Sequence, residues 1–321
     1  MSKLLFRIFV PLFMALFSWT AIAEESPTET LAAGRVDDAI TELNGRISSA
    51  PSDAELSNLL CRAYYALEDW DRAEPYCRKA VSLDPENGRF HFWLGRVYGE
   101  KADRANFLAA ASLALKVRAE FERAVQLNPK DLDAQLDLSE FYVEAPAVMG
   151  GGEQKARAQA RSIAQMNPGR EHWVYARLAE QRKDAATAER EYHQYIDLSN
   201  GDAEAWLNLA LFLRRQTRLE EMDQAVIRLS QAPLSKVDGL VEAANLLFRT
   251  GRNYPLAVEF LHRYFAVGPV EAAPAFRAHY LLGELLEKQG DKPGAAAEYH
   301  SSLLLARGFS PAQQAFTRVT H

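Results

Sequence analysis

A proline that recurs at the end of helical segments is the feature that most constrains how this chain folds. Three segments of one form, Ser82–Pro85, Gln126–Pro129 and Gln165–Pro168, each close a stretch with apolar residues at helical spacing. Proline ends a helix because it lacks the backbone N–H that the helix needs. Pro51 lies 34 residues before Pro85, and this period is typical of stacked pairs of helices.

The segment from residue 54 to residue 85 shows why the spacing predicts a helix pair. Leu60 and Tyr64 are four residues apart, so they lie on one face of a first helix. Ala73 and Ala80 are seven apart, on one face of a second helix. Small side chains there let the two helices approach closely, while the bulky residues fill the space beside them.

This pattern resembles the tetratricopeptide repeat, whose units carry Leu, Tyr, Ala, Ala and Pro at these positions. The resemblance covers nearly all of the chain after residue 27, although residues 236–267 show helical pairing without a definite register. It implies an all-α fold without a β-sheet: a right-handed superhelical solenoid of antiparallel helix pairs, with a concave groove lined by the first helices. Further copies are marked by Leu94 and Gly95, Leu138, Ala176, Trp206, and Leu282 and Gly283.

Two units are longer than the period. Pro85 to Pro129 spans 44 residues and Pro129 to Pro168 spans 39, so about ten and about five residues are inserted. The first insertion lies within 101–117, where alanine and leucine favour longer helices. The second lies within 144–152, where a proline and three glycines require a loop. Both fall between the helices of their unit and should be neighbours, either as a second binding surface or as a cover for the longer helices.

The first 23 residues have the composition of a secretory signal. Lys3 and Arg7 precede an apolar run of about 15 residues, and Ala21–Ala23 forms a small-x-small cleavage site. The run is shorter than the ~20 residues that a spanning helix needs, although an uncleaved anchor is the alternative. We expect cleavage after Ala23, a periplasmic or secreted protein without stable membrane insertion, and a solenoid of about 7–8 helix pairs over residues 24–321.

Charge and motifs exclude several functions. The signal segment carries two basic residues and no acidic ones, so its removal changes the formal net charge from −6 to −8. So acidic a protein is a poor partner for nucleic acid. Gly150–Gly152 lacks the Gly-Lys-Ser/Thr ending of a phosphate loop, and the seven histidines have no metal-ligand spacing. We therefore expect no catalytic residue, no cofactor and no metal.

The chain has two cysteines, Cys61 and Cys77. The resemblance places Cys61 at the small-residue position of a first helix and Cys77 on the second helix of the same pair. An oxidising compartment allows a disulfide if the Cα atoms lie roughly 4.4–6.8 Å apart. The alternative is a pair of buried thiols that pack as small apolar residues.

The resemblance also places a set of first-helix residues on the concave wall, and arginine and aromatic residues recur among them. Because arginine suits carboxylates and both types dominate binding hot spots, an acidic peptide is a candidate partner. The alternative is that these arginines pair with glutamates of neighbouring helices. The predicted groove residues are Arg62, Tyr65, Phe92, Arg96, Glu140, Trp173, Arg177, Arg214, Arg215 and Tyr280.

These observations predict a non-enzymatic scaffold or adaptor of the bacterial cell envelope, which binds a protein or peptide in its concave groove. The alternatives are a protein that binds small molecules in the same groove, and a structural envelope protein anchored in the membrane by an uncleaved signal.

Overall fold

The computed structural model describes residues 26–321, and the predicted signal peptide, residues 1–23, lies outside them. The described part is all-α, as predicted, and contains no β-sheet. Seventeen α-helices follow one another along residues 26–321: α1 Pro27–Ala32, α2 Val36–Ser49, α3 Ala54–Ala66, α4 Trp70–Leu83, α5 Gly88–Asp103, α6 Phe107–Leu127, α7 Leu132–Glu144, α8 Glu153–Ala164, α9 Pro168–Gln181, α10 Ala185–Leu198, α11 Ala203–Arg215, α12 Leu219–Gln231, α13 Asp238–Thr250, α14 Tyr254–Val267, α15 Ala275–Lys288, α16 Lys292–Leu305 and α17 Ser310–Thr320.

The helices form eight consecutive pairs in the described part, and α17 packs on the last of them. The first pair is truncated because α1 has only six residues. Between residues 26 and 321, no helix combines the length and the apolar character needed to cross a membrane.

Short polar residues and a repeated turn conformation set the helix boundaries. Asp or Asn caps many helices by accepting a hydrogen bond from a backbone N–H of the first turn, as Asp53 does for α3 and Asp184 for α10. The turn between the two helices of a pair contains a residue whose backbone has a positive φ, in the left-handed region. This residue recurs every 34 positions, at Lys183, Thr217 and Gly251. The turn geometry therefore repeats even where the residue is not glycine.

Close approach of paired helices depends on small residues in the first helix. A Cβ atom added to Gly283 in α15 would lie 2.5 Å from the ring of Tyr299 in α16. Gly95 in α5 meets the ring of Phe121 in α6 in the same way, at 2.6 Å. The missing side chain is therefore what admits a large buried ring from the second helix.

The two insertions lie together on one edge, which we call the inserted edge (residues 101–117 and 144–152). The first lengthens α5 to 16 and α6 to 21 residues. The second forms a loop with a 3-10 turn at Ala147–Met149. Arg118 of α6 donates a hydrogen bond of 3.3 Å to the carbonyl oxygen of Met149, which joins the two.

Cys61 and Cys77 face each other inside the pair formed by α3 and α4. Both are fully buried, and their Cα atoms lie 5.1 Å apart. The structure joins their sulfur atoms across 16 residues of sequence. The geometry thus accommodates a disulfide.

The first units of the solenoid contact the last ones. Arg62 of α3 forms an ion pair with Glu271, 209 residues away. Arg277 of α15 donates to the carbonyl oxygen of Ala66 at 2.7 Å and to the carboxylate of Glu68 at 2.6 Å. We call this contact the seam (residues 62–68 against 271–277). Because of the seam, the concave groove becomes the interior of a ring.

A second contact closes the ring near its outer rim. Arg307, after α16, donates its backbone N–H to Asp37 of α2 at 2.8 Å. Gly34, before α2, lies so close to Ala275 that an added Cβ would be 2.5 Å from its backbone nitrogen. Residues 34–37 therefore pack directly on the last helix pair.

Gly283→Ala should destabilise the protein by about 1–3 kcal/mol, because the new methyl group would overlap the buried ring of Tyr299. Gly99→Ala is the matched control: Gly99 lies within helix α5, and nothing is within 4 Å of its added Cβ. There alanine should stabilise the helix by up to about 1 kcal/mol. Urea unfolding measures both, and equal effects of the two changes would contradict the packing argument.

A disulfide between Cys61 and Cys77 should be present in protein purified without reductant. Alkylation after unfolding without reductant, read by intact mass, should therefore label neither cysteine. Replacing both by alanine should cost about 3 kcal/mol, since the bond closes a loop of 16 residues. Labelling of both thiols in the unreduced protein would show that they are free.

Candidate functional site

The interior of the ring holds four connected cavities. The Trp173 cavity, of about 400 Å³, is lined by α9, α11 and the start of α13. The Tyr280 cavity, of about 600 Å³, lies between α13 and α15. The seam cavity, of about 390 Å³, lies at the seam, and the insert cavity, of about 720 Å³, lies beside the inserted edge. Asp238 lines three of them and Glu140 lines two, so together the cavities form one interior surface.

Nine of the ten predicted groove residues line this interior. The exception is Phe92, which is buried in the core against Phe121 and lines none of the four cavities. The other nine are Arg62, Tyr65, Arg96, Glu140, Trp173, Arg177, Arg214, Arg215 and Tyr280.

Most of the interior arginines are already paired with carboxylates. Arg62 binds Glu271, and Arg96 donates to Asp137 at 2.7 Å. The guanidinium groups that were expected to bind an acidic partner are therefore already bound to carboxylates of the protein itself. Two further pairs follow the same rule: Arg177 with Glu144 at 2.6 Å, and Arg215 with Glu180 at 2.7 Å.

Arg214 is the exception among the predicted arginines. Its side chain lines the Trp173 cavity and makes no hydrogen bond or ion pair with any residue between 26 and 321. Leu207 and Leu211 provide the apolar wall of this cavity. Trp173 is fixed there because its indole N–H donates to the side-chain oxygen of Asn208 at 2.9 Å. The cavity therefore offers an apolar wall beside a free guanidinium group.

Carboxylates that face the same interior perturb one another. Burial and the nearby Glu144 raise the pKa of Glu140 to about 7, although Arg177 partly offsets the effect. Burial also raises the pKa of Glu242, and Asp238 adds to the rise. Enclosure of like charges inside the ring is the common cause.

The aromatic residues Tyr65 and Tyr280 lie on opposite sides of the seam. The Tyr65 hydroxyl donates to Glu100 at 3.1 Å, and burial raises the pKa of Tyr65. Burial raises the pKa of Tyr280 to about 12, and Glu284 contributes. Both hydroxyls therefore stay protonated and act as hydrogen-bond donors at neutral pH.

Some interior residues escaped the sequence analysis because they lie on two long connections. Residues 232–237 and 268–274 are longer than the four-residue links between most earlier pairs. Lys236, on the first, reaches Asp133 at 3.3 Å, and Glu271, on the second, reaches Arg62. The only available signal was the spacing of the helix starts, 203, 238 and 275, which exceeds the period.

Three of the seven histidines pair with glutamates. His172 and His279, on first helices, each lie within 2.8 Å of a glutamate on the second helix of the same pair, Glu191 and Glu298. His91 and Glu120 form the equivalent pair in the unit with the longer helices. Throughout residues 26–321, no group of three or more His, Cys, Asp or Glu is placed to hold a metal ion.

Comparison with known proteins identifies the repeats. Residues 54–87 and 241–311 match the family of the tetratricopeptide repeat. The first segment contains α3 and α4, and the second contains most of α13 to α16. These two segments of the chain are therefore tetratricopeptide repeats. No curated protein matches the chain.

Two solved structures are similar to this chain at low identity. Yeast Tom70 is 15% identical, with a TM-score of 0.51, over 89% of this chain and 58% of the Tom70 chain. This chain thus spans little more than half the length of that relative. TTC0263 of Thermus thermophilus, a thermophilic tetratricopeptide-repeat protein, is 19% identical over 56% of this chain and 91% of its own, with a TM-score of 0.46.

Glu140→Gln should change how stability depends on pH. The pKa of Glu140 is about 7 in the folded protein and near 4.5 when unfolded, so the folded state binds more protons between these values. Its contribution is therefore fully present below pH 4.5 and is lost as the pH rises through 7. Urea midpoints from pH 5 to 8 should fall less steeply for Glu140→Gln than for the natural protein. The exposed Glu259→Gln is the control, and parallel curves for all three proteins would contradict the assignment.

Proposed function

We propose that this protein is a non-enzymatic scaffold whose ring interior binds a peptide or a protein segment. Tetratricopeptide-repeat proteins generally mediate protein–protein interactions. The observation that supports the proposal is the connected interior surface, along which apolar walls and charged groups alternate. Binding hot spots have this combination of aromatic, apolar and arginine side chains.

The Trp173 cavity is the proposed anchor point. Its free guanidinium group at Arg214 suits a carboxylate of the partner, and Leu207 and Leu211 suit an apolar neighbour of that carboxylate. An acidic group is thus proposed for this cavity alone, since the other predicted arginines already have carboxylate partners.

The cell envelope is the proposed location. The signal-like residues 1–23 support it, and so does the pairing of both cysteines, because disulfides persist in oxidising compartments. An uncleaved anchor remains the alternative. N-terminal sequencing of the purified protein separates the two: Glu24 at the start means a released protein, and Met1 or Ser2 an anchored one.

The inserted edge is a second candidate surface. Phe107, Leu108 and Val148 are more than three-quarters exposed there, at 83%, 80% and 81%. Large apolar side chains at such exposure mark interaction sites when they lie together. If the partner binds the Trp173 cavity, variants of that cavity should lose it; if the partner binds the inserted edge, variants of that edge should lose it.

Capture of partners from an envelope extract distinguishes these surfaces. Arg214→Glu should lose a partner that the natural protein retains, because the charge facing the partner's carboxylate is reversed. Arg78→Glu is the matched control, since it makes the same charge change on the exposed side of α4. Circular dichroism verifies that each variant folds.

The opposite result would assign partner binding to the inserted edge. A partner retained by Arg214→Glu and lost by Phe107→Ser/Val148→Ser binds the inserted edge. Absence of any captured protein, together with a small molecule that copurifies, would favour the alternative of small-molecule binding.

A further inference from the structure

The seam cavity has more carboxylates than cations to match them. Glu271 binds Arg62, and Glu68 binds both Arg277 and, at 3.4 Å, Arg104, so these two carboxylates are paired. Glu100 receives a hydrogen bond only from the neutral hydroxyl of Tyr65. Glu100 thus has no cation within ion-pair distance among residues 26–321.

Asp238 faces the same cavity without any partner. It is the first residue of α13, and it forms no hydrogen bond or ion pair with the described residues. The third arginine that lines the cavity, Arg96, is bound to Asp137. No lining cation is therefore free for Asp238, and the cavity as a whole favours a positively charged occupant.

Aromatic rings form the wall between these carboxylates. Tyr65 packs edge-on against Trp70, with ring centroids 4.9 Å apart, and against Trp93 at 5.3 Å. Aromatic walls suit the methylene stem of a long basic side chain, whose charged end seeks a carboxylate. Arg104 lies over the ring of Trp70 and Arg96 over that of Trp93. The rings thus contribute a wall, and the carboxylates contribute the attraction.

Two lining side chains also have unused donors. The Nη1 atom of Arg62 and the Nε1 atom of Trp70 are buried and have no hydrogen-bond acceptor. Arg62 is only 3% exposed, so water cannot satisfy its Nη1 donors, and the nearest carboxylate to this atom, Glu55, lies 3.9 Å away, beyond hydrogen-bond distance. The site therefore calls for a cation and a hydrogen-bond acceptor together.

We propose that the seam cavity binds a lysine or arginine side chain of the partner peptide, with Glu100 and Asp238 holding its charge and Arg62 and Trp70 donating to a nearby backbone carbonyl. The proposal rests on the proposed function, because the peptide would lie in the same ring interior. A free diamine has the cation but no acceptor, which is why a peptide is the better fit.

Tryptophan indole signals can report binding at this site. The protein, labelled with 15N at tryptophan, is titrated with blocked pentapeptides that differ only in a central Lys, Arg, Gln or Glu. Lys and Arg peptides should shift the indole N–H signals of Trp70 and Trp93, and leave that of Trp173, in its separate cavity, unchanged. The Gln peptide should bind about tenfold or more weakly, since it lacks the charge.

Variants of the two carboxylates test whether each one contributes to binding of the Lys peptide. Glu100→Gln and Asp238→Asn should each weaken the Lys peptide several-fold and keep the indole spectrum of a folded protein. Glu259→Gln is the matched control, because this exposed carboxylate of α14 lines none of the four cavities. It should leave the affinity for the Lys peptide unchanged.

Several results would overturn the proposal: equal shifts with the Lys and Gln peptides, no shift of Trp70 or Trp93 at millimolar peptide, or putrescine binding as tightly as the Lys peptide. The two proposals can fail separately. A captured partner that depends on Arg214, with no binding of Lys or Arg peptides, leaves the scaffold and removes the cation site. If the Lys peptide binds but no protein is captured, the cation site stands and the scaffold proposal fails.

Discussion

The ion pair between Arg62 and Glu271 is the contact on which the interior of this protein depends. Arg62 is almost completely buried, and a buried guanidinium without a counter-charge is very costly. Its counter-charge comes from a connection near the other end of the chain. A helix pair contacts mainly its neighbours along a solenoid, so a link across 209 residues exists only when the superhelix returns to its start.

Closure of the ring changes the chemistry of the concave face. In an open groove, the interior arginines and glutamates would face bulk water and interact weakly. Inside the ring they lie close together, and burial, with the neighbouring carboxylates Glu144 and Asp238, raises the pKa values of Glu140 and Glu242. The side chains left without an ion pair then define the two proposed binding positions: Arg214 in the Trp173 cavity, and Glu100 and Asp238 in the seam cavity, although Asp238 also lines the Trp173 cavity.

The two positions have opposite requirements. The Trp173 cavity suits a carboxylate beside an apolar group, and the seam cavity suits a basic side chain. A peptide with both an acidic and a basic side chain would satisfy both cavities along one connected interior. This gives a physical basis for selecting one partner, because a segment with only one charge type would leave one cavity unsatisfied.

The sequence by itself determined the repeat, the helix pairs, the two insertions and most of the residues on the concave wall, because local spacing dictates which face of a helix a residue occupies. In this way the spacing assigns Trp173, Arg177 and Arg214 to the interior. For Phe92 the spacing did not distinguish a position on the concave wall from a position in the core. Only the tertiary structure decided which charges remain free. Arg62 and Glu271 carry no mutual signal in sequence, and the long connections at 232–237 and 268–274 determine where Asp238 and Glu271 lie. Pairing across the ring depends on the accumulated twist of all the helix pairs, and no local pattern encodes that sum.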